Sequence, residues 1–295
     1  MSSLLQGLDR FLSGFAFGMA SPHIVLVKFY DAHNHLHDDR LAPYLESILP
    51  ALTGQGIERM VVNGSCEEDW PAVLALAKRD PRVLPSFGYH PWYVRERSAK
   101  WLDKLDAMLD AAPSAVGEIG LDKWIKDHDL KDQEEVFTAQ LRLAAKRNLP
   151  VSIHCLHAWG KLVDVLRREP RPACGFVLHS FGGPRELIDE LASLGAYFSL
   201  PGYFAHPRKD RQREAFCHVP FDRLLIETDA PDQSLPPERV EYSLPDTNEG
   251  KPVNHPANLG AVYRFASDLL QFPLDKLAVG VEENFIRLFG GLQSG

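Results

Sequence analysis

Cysteine is scarce in this chain: among 295 residues only Cys66, Cys155, Cys174 and Cys217 occur, and no two form a CxxC pair. That scatter argues against a disulfide framework and for free thiols in a reducing cytoplasm. No apolar run reaches the ~18 residues needed to cross a bilayer, so no membrane span is expected. Positive charge is also in deficit, with 32 Lys and Arg against 40 Asp and Glu and a net charge of −8. Such a balance excludes a surface coated with basic residues for nonspecific nucleic-acid binding, while leaving room for a local basic patch. Low-complexity segments are absent, and no GxGxxG follows the first apolar run.

The N-terminus has a short apolar centre, "FLSGFAFGMASP" at residues 11–22, preceded by Asp9 and lacking a basic cluster before Arg10. A secretory leader normally carries that cluster. Residues 1–23 are therefore expected to be an extension, with Met19 an alternative start, and the folded unit is expected over 24–292.

Apolar runs closed by turn or polar residues recur through the rest of the chain. Strands are predicted at 24–31, 58–64, 83–90, 114–122, 150–155, 174–180, 195–203 and 222–231. Helices are predicted between them at 41–55, 68–79, 99–112, 131–148, 157–168, 184–194 and 208–217. The strands read as short continuous apolar runs, the pattern of parallel strands covered on both faces. Eight βα repeats in one domain predict an α/β fold, a single (β/α)8 TIM barrel. A doubly wound open sheet is the competing arrangement, and it lacks the glycine fingerprint that would support it. The long irregular stretch 231–255 follows the eighth strand, where loops of this length usually serve function.

Active sites of such barrels lie at the C-terminal ends of the strands. In "FYDAHNHLHDD" the first strand ends in Asp31, His33 and His35, which share one parity and hence one face. His90 ends the third strand, Glu118 the fourth, His154 the fifth, His179 the sixth and Asp229 the eighth. Imidazole and carboxylate together suit Zn2+, Mn2+ or another first-row cation, whereas Mg2+ prefers more oxygen. Two divalent metal ions bridged by Glu118 would activate a water for attack, and Asp229 would take its proton. Glu118 and Asp229 are thus the expected catalytic pair.

In order and spacing, "DAHNH", "GYHPW", "GEIGLD", "LPVSIH", "LHSFGG" and "LLIETDAP" resemble the motifs of the TatD family of metal-dependent hydrolases. The likeness extends from about residue 28 to "ENFIRLFG" at 283–290. It implies a barrel of the amidohydrolase group, with His33, His35 and Asp229 on one metal, His154 and His179 on the other, and Glu118 between them. His90 would line the substrate site. The resemblance further implies a divalent-metal-dependent deoxyribonuclease, trimming DNA from its ends.

Three departures from the family pattern stand out. "IHCLHA" carries Leu156 and His157 where the family has an arginine suited to phosphate. Asn254, His255 and Pro256 replace the usual NEP. His37 stands where an acidic residue is common, and is read as a rim residue. The segment "HPRKDRQR" at 206–213 supplies Arg208, Lys209, Arg211 and Arg213, of which Arg208 and Lys209 are expected to contact substrate phosphates. Trp92 and Tyr203 are candidates for stacking on a base. The missing arginine keeps a second reading open, in which a small-molecule amide, ester or lactone is hydrolysed. A binding protein on a retired barrel would have lost ligands, and none of the six is lost. The protein is expected to act as a cytoplasmic monomer on DNA or another phosphodiester.

Overall fold

Eight apolar segments pair side by side in chain order, each parallel to the next, in a computed structural model that describes residues 27–127, 129–245 and 250–292. The strands are β1 (Phe29–Asn34), β2 (Ile57–Asn63), β3 (Val83–Phe87), β4 (Ala115–Asp122), β5 (Val151–Leu156), β6 (Phe176–Leu178), β7 (Ala196–Pro201) and β8 (Leu224–Glu227). Between them run α1 (Leu45–Gly54), α2 (Trp70–Arg79), α3 (Trp101–Ala111), α4 (Leu130–Arg147), α5 (Trp159–Arg168), α6 (Ile188–Ser193) and α7 (Asp210–Phe216). After β8 the outer layer is completed by two helices rather than one, α8 (Leu259–Leu270) and α9 (Leu274–Phe289). The result is the expected (β/α)8 barrel. Every residue of β1, β3, β4, β6, β7 and β8 is buried, which is why the sequence alternates so little there. The expectations for residues 1–23, and for the first residues of the strand predicted at 24–31, lie outside the described residues.

The ring closes where β8 meets β1. Asp229 N donates to His33 O at 3.0 Å, and His35 N donates to Ala230 O at 2.7 Å. Asp31 is buried and accepts from Thr228 N at 3.0 Å and Thr228 Oγ1 at 2.6 Å.

Several predicted elements are shorter than expected, for reasons of backbone conformation. His157 has φ 58°, so α5 starts only at Trp159. Gly175 and Gly195 both have φ 101°, and the strands after them begin one residue later. Asp229 has φ 51°, a left-handed conformation that Asp tolerates better than most residues, so it sits in a turn beyond β8. In "GEIG" the glycines are needed for space. A Cβ on Gly117 would lie 2.8 Å from Ser152 Cβ, and one on Gly120 would lie 1.9 Å from His154 O.

α4 shows how the outer layer positions the barrel mouth. Asp129 caps it by accepting from Lys131 N and Asp132 N. Its buried stripe contains two amides as well as Phe137 and Ala144. Gln133 grips the Asp122 backbone, accepting from its N at 2.8 Å and donating to its O at 2.9 Å. Gln140 does the same to Tyr89, at 2.7 and 3.2 Å. The helix thus fixes the residues around two predicted site positions, the end of β4 and the segment leading to His90.

Candidate active site

Glu118 lies at the centre of the mouth, 3% exposed, with its two oxygens facing different partners. Oε2 is 3.3 Å from both His33 Nε2 and His35 Nε2. Oε1 is 2.8 Å from His179 Nε2, 3.0 Å from His154 Nδ1 and 3.4 Å from His90 Nε2. Asp229 Oδ1 completes the first group, 3.6 Å from His33 Nε2 and 3.7 Å from His35 Nε2. The six residues predicted as ligands therefore converge, with His90 beside them.

Hydrogen bonds behind the imidazoles decide what faces forward. His35 Nδ1 is 2.7 Å from the Asn63 carbonyl, which only accepts, so a proton is on Nδ1 and the neutral ring would turn a lone pair toward Glu118. His154 Nε2 donates to Asp122 Oδ2 at 3.0 Å, which likewise turns its Nδ1 lone pair inward. Facing His154 Nδ1 at 3.1 Å is His179 Nε2, and facing His35 Nε2 at 3.3 Å is His33 Nε2. Lone pairs and carboxylate oxygens confronting one another in a dry site repel unless protons or a cation lie among them. The donor set, imidazole nitrogen with carboxylate oxygen, is one that divalent first-row cations favour. Three clusters could each hold an ion: His33, His35 and Glu118; His33, His179 and Asp229; His90, Glu118 and His154.

His90 differs from the other imidazoles. The Trp92 backbone N–H donates to its Nδ1 at 3.2 Å, which leaves the proton of the neutral ring on Nε2, facing the site. A donor suits a substrate oxygen better than a cation, so the third cluster is chemically the weakest of the three.

The ionisation of these groups follows from burial and mutual charge. Burial holds His33 down to about 4, with the charge of His179 acting in the same direction. Burial likewise holds His90 down to about 4. His35 would be lowered by burial, but Glu118 and Asp229 raise it to about 9, so with no cation bound its Nε2 holds a second proton toward Glu118, which a cation would have to displace. Glu118 would be raised by burial, but the charges of His179, His90 and His33 hold it well below the carboxylate range. Asp229 is pushed up by burial, against the pull of His179 and His35.

A cavity of about 690 Å³ opens above these groups. Trp92 is 42% exposed on its wall and donates through Nε1 to Asp122 Oδ2 at 2.7 Å. His37 also lines the cavity, with Nε2 3.4 Å from Asp69 Oδ2, in keeping with a rim residue. Asp31 does not join the metal-ligating clusters, because its carboxylate is turned to Thr228 at the β1–β8 seam. Arg208 and Lys209 do not line the cavity. Arg208 bonds the Tyr203 hydroxyl, and Lys209 Nζ lies 4.7 Å from the centre of the Tyr203 ring. The Asn254–His255–Pro256 segment is structural: Asn254 Nδ2 donates to Thr228 O at 2.9 Å, and His255 Nδ1 accepts from Ala257 N at 3.0 Å.

Sequence reasoning missed the residues that aim the ligands. Asp122 orients His154, and Asn63 orients His35. Gln233 donates to Asp229 Oδ2 at 2.6 Å and to Ser180 Oγ at 2.5 Å. The one available signal was in α4, where Gln133 and Gln140 sit in a mostly apolar stripe.

Comparison with known proteins agrees with this geometry. The profile of the family described as "TatD related DNase" matches residues 30–290. The uncharacterized metal-dependent hydrolase YjjV of Escherichia coli (strain K12) is 29% identical over 268 residues, covering 90% of this chain and 99% of YjjV. Its crystal structure superposes with a TM-score of 0.81. The 3'-5' ssDNA/RNA exonuclease TatD of Edwardsiella piscicida is 33% identical over 244 residues, 79% of this chain and 88% of that protein. A TatD family hydrolase of Entamoeba histolytica shares the fold at 20% identity, with a TM-score of 0.77 over 89% of this chain and 98% of the other. With the motifs, the barrel and the cluster around Glu118 in agreement over nearly its whole described length, the chain belongs to the TatD-related DNase family.

Proposed function

We propose that this protein is a divalent-metal-dependent hydrolase that cleaves phosphodiester bonds at the ends of single-stranded nucleic acid, DNA above all. The observation that carries the reading is the pair of fixed tautomers. Asn63 and Asp122 hold a proton on the outer nitrogens of His35 and His154 and turn their inner nitrogens to opposite oxygens of one buried carboxylate, Glu118. With Glu118 presented this way, His33, His35 and Asp229 would hold one cation and His154 and His179 a second, with Glu118 shared between them. When bound, two such ions lower the pKa of a water and offset the charge that grows on the phosphate oxygens. Asp229 then accepts the proton of the attacking water through Oδ1, while Gln233 holds its Oδ2. His90 offers its Nε2–H to a substrate oxygen, and the exposed indole of Trp92 offers a stacking face beside it. The nuclease activity named for the Edwardsiella relative supports the choice of substrate.

On this reading the protein acts as a monomer, which gel filtration tests. The four cysteines are free, as suits the cytoplasm, and no described helix is long and apolar enough to cross a membrane.

One observation favours a second reading. The cavity rim is acidic, lined by Asp38, Asp39, Glu68, Asp69, Glu96 and Asp232, and its Arg40 is held by Asp38 and Asp232 at 2.8 Å each. A small neutral amide, ester or lactone would meet less repulsion there than a phosphodiester. Purified protein loaded with Mn2+ or Zn2+ is expected to shorten single-stranded oligonucleotides and to leave a panel of N-acyl and lactone substrates intact. Turnover of that panel without cleavage of oligonucleotides would replace the first reading with the second.

A further inference from the structure

A second cavity, also of about 690 Å³, opens on the same end of the barrel, between the loops after β5 and β6 and the helix α7. Its walls include His157, Trp159, Arg185, Arg211 and Glu214. The two cavities are neighbours along the chain: β5 delivers His154 to the first, and His157 lines the second. Three residues of extended chain span at most about 10 Å, so a strand bound at the metal site can reach the second cavity within one or two nucleotides.

The cations of "HPRKDRQR" are not equivalent. Arg208 and Lys209 are spent on Tyr203, and Arg213 donates to the carbonyls of Phe204 and His206 at 2.7 and 2.6 Å. The Arg211 side chain alone among them makes no hydrogen bond or ion pair with the described residues, and it lines this cavity, as does the exposed, equally unbonded His157 imidazole. Arg185 is occupied by Glu214 at 3.3 Å and Glu186 at 3.7 Å, so those three carry one excess negative charge, and Arg211, itself unpaired, brings the charged side chains of the wall to formal neutrality. Trp159 packs edge-on against Phe181, with ring centres 4.9 Å apart, and remains half-buried on the cavity wall.

The mouth is therefore electrostatically lopsided. Loops after β1, β2, β3 and β8 carry the acids of the first cavity, and the free cation lies on the β5–β7 side. A polyanion meets less repulsion on the second side, whose wall is formally neutral and offers an unpaired Arg211, than on the first. We propose that the second cavity is a nucleotide subsite. In it Arg211 and the His157 N–H hold a phosphate of the strand beyond the scissile bond, and Trp159 stacks on the adjoining base. This rests on the phosphodiesterase reading and names the path the strand takes from the metal centre.

The test uses fluorescence anisotropy of a labelled oligothymidylate of about eight nucleotides, a common single-strand site size, with the protein in chelator. Arg211→Glu and His157→Ala are compared with wild type. Both residues are exposed, and matching thermal melts will confirm that the fold is kept. Arg211→Glu is expected to weaken binding about tenfold and to lower the salt slope by about 0.7, one phosphate's worth for a single strand. His157→Ala is expected to weaken it several-fold. Hydrolysis of bis(p-nitrophenyl) phosphate, which is too short to reach the cavity, should be unchanged in both variants. Unchanged oligonucleotide affinity, or an equal loss on the short diester, overturns the subsite while leaving the phosphodiesterase reading intact. If metal-loaded wild type hydrolyses no phosphodiester at all, that reading falls and the subsite falls with it.

Discussion

Asp122 is the most informative residue to perturb, because it belongs to no ligand cluster yet decides which nitrogen of His154 faces Glu118. Its Oδ2 accepts from His154 Nε2 at 3.0 Å and from Trp92 Nε1 at 2.7 Å, while Oδ1 accepts from Trp124 N at 2.6 Å. Burial would raise this carboxyl, but the bonds from His154, Trp92 and Trp124 hold it at about 2. In Asp122→Asn the amide oxygen can replace one carboxylate oxygen only. If it keeps Trp124, its NH2 confronts two donors, and His154 must move its proton to Nδ1 to accept. That proton then points at Glu118 Oε1, 3.0 Å away, in the direction a cation would occupy. Losing such an outer partner typically costs 10- to 100-fold in metal affinity, about 1.4 to 2.7 kcal/mol. Competition between the protein and a chelating dye for Zn2+ should register this on a variant whose melt is close to wild type. Trp92→Phe, which removes a donor but leaves the carboxylate, should bind metal as wild type does. An Asn variant with wild-type metal affinity would falsify the tautomer argument.

Other expectations follow from the same contacts. Glu118→Gln should lose turnover by at least about 10³-fold, because an amide cannot supply two anionic oxygens to opposing imidazole groups; near-wild-type rates in a folded variant would end the proposed mechanism. Gln233→Ala removes a donor from the Asp229 carboxylate, so its pKa rises and the acid limb of the kcat profile should move to higher pH, an outcome read directly from pH–rate curves. Metal should raise the melting temperature, with stabilisation of about 2.7 kcal/mol when the free ion is a hundredfold above Kd, and chelator should reverse it; a melt indifferent to both would argue that the lone pairs are satisfied otherwise. Glu67 gives the pH dependence of stability: burial would raise it, but Lys104, Ser98 and Tyr89 hold it at about 2. Its contribution is therefore full above the ordinary Glu value of about 4.5 and lost as pH falls toward 2, so the melting-temperature gap between wild type and Glu67→Gln should shrink across that window.

The parts legible in the sequence were those that repeat or that carry rare chemistry. Eight apolar runs imply the barrel, and a His or carboxylate at the end of each of six runs implies the mouth, because few residue types can act there. The second layer was not legible, since Asn63, Asp122 and Gln233 look in sequence like any polar residue near a loop. Their role depends on which buried group they meet across the barrel. Gln133 and Gln140 carried a faint signal, because they share a helical face with Phe137 and Ala144, where an amide must find a buried partner. The placement of Arg208 and Lys209 off the cavity wall was hidden for a related reason. A charge count cannot reveal that Tyr203 lies close enough to bind both. Arg211, two positions further on, is the residue of that run with charge to spare.

The opening motif ties fold and site together. Asp31 shares the parity of His33 and His35 in the sequence, yet the pairing of β1 with β2 shifts register between Asp31 and Asn34. Asp31 is then free to face β8, where burial pushes its carboxyl up to about 7 and Thr228, Asn34 and the His33 backbone satisfy it. Those bonds fasten the strand that carries two imidazoles to the turn that carries Asp229. The next pair of contacts, Asp229 N to His33 O and His35 N to Ala230 O, carries that alignment into the mouth. A slip of one residue at this seam would reverse the faces of His33 and His35 and separate both from Glu118. Closing the barrel and assembling the metal-ligating cluster are thus one packing event. The ligands are held in place for a cation by a seam that cannot relax without opening the ring.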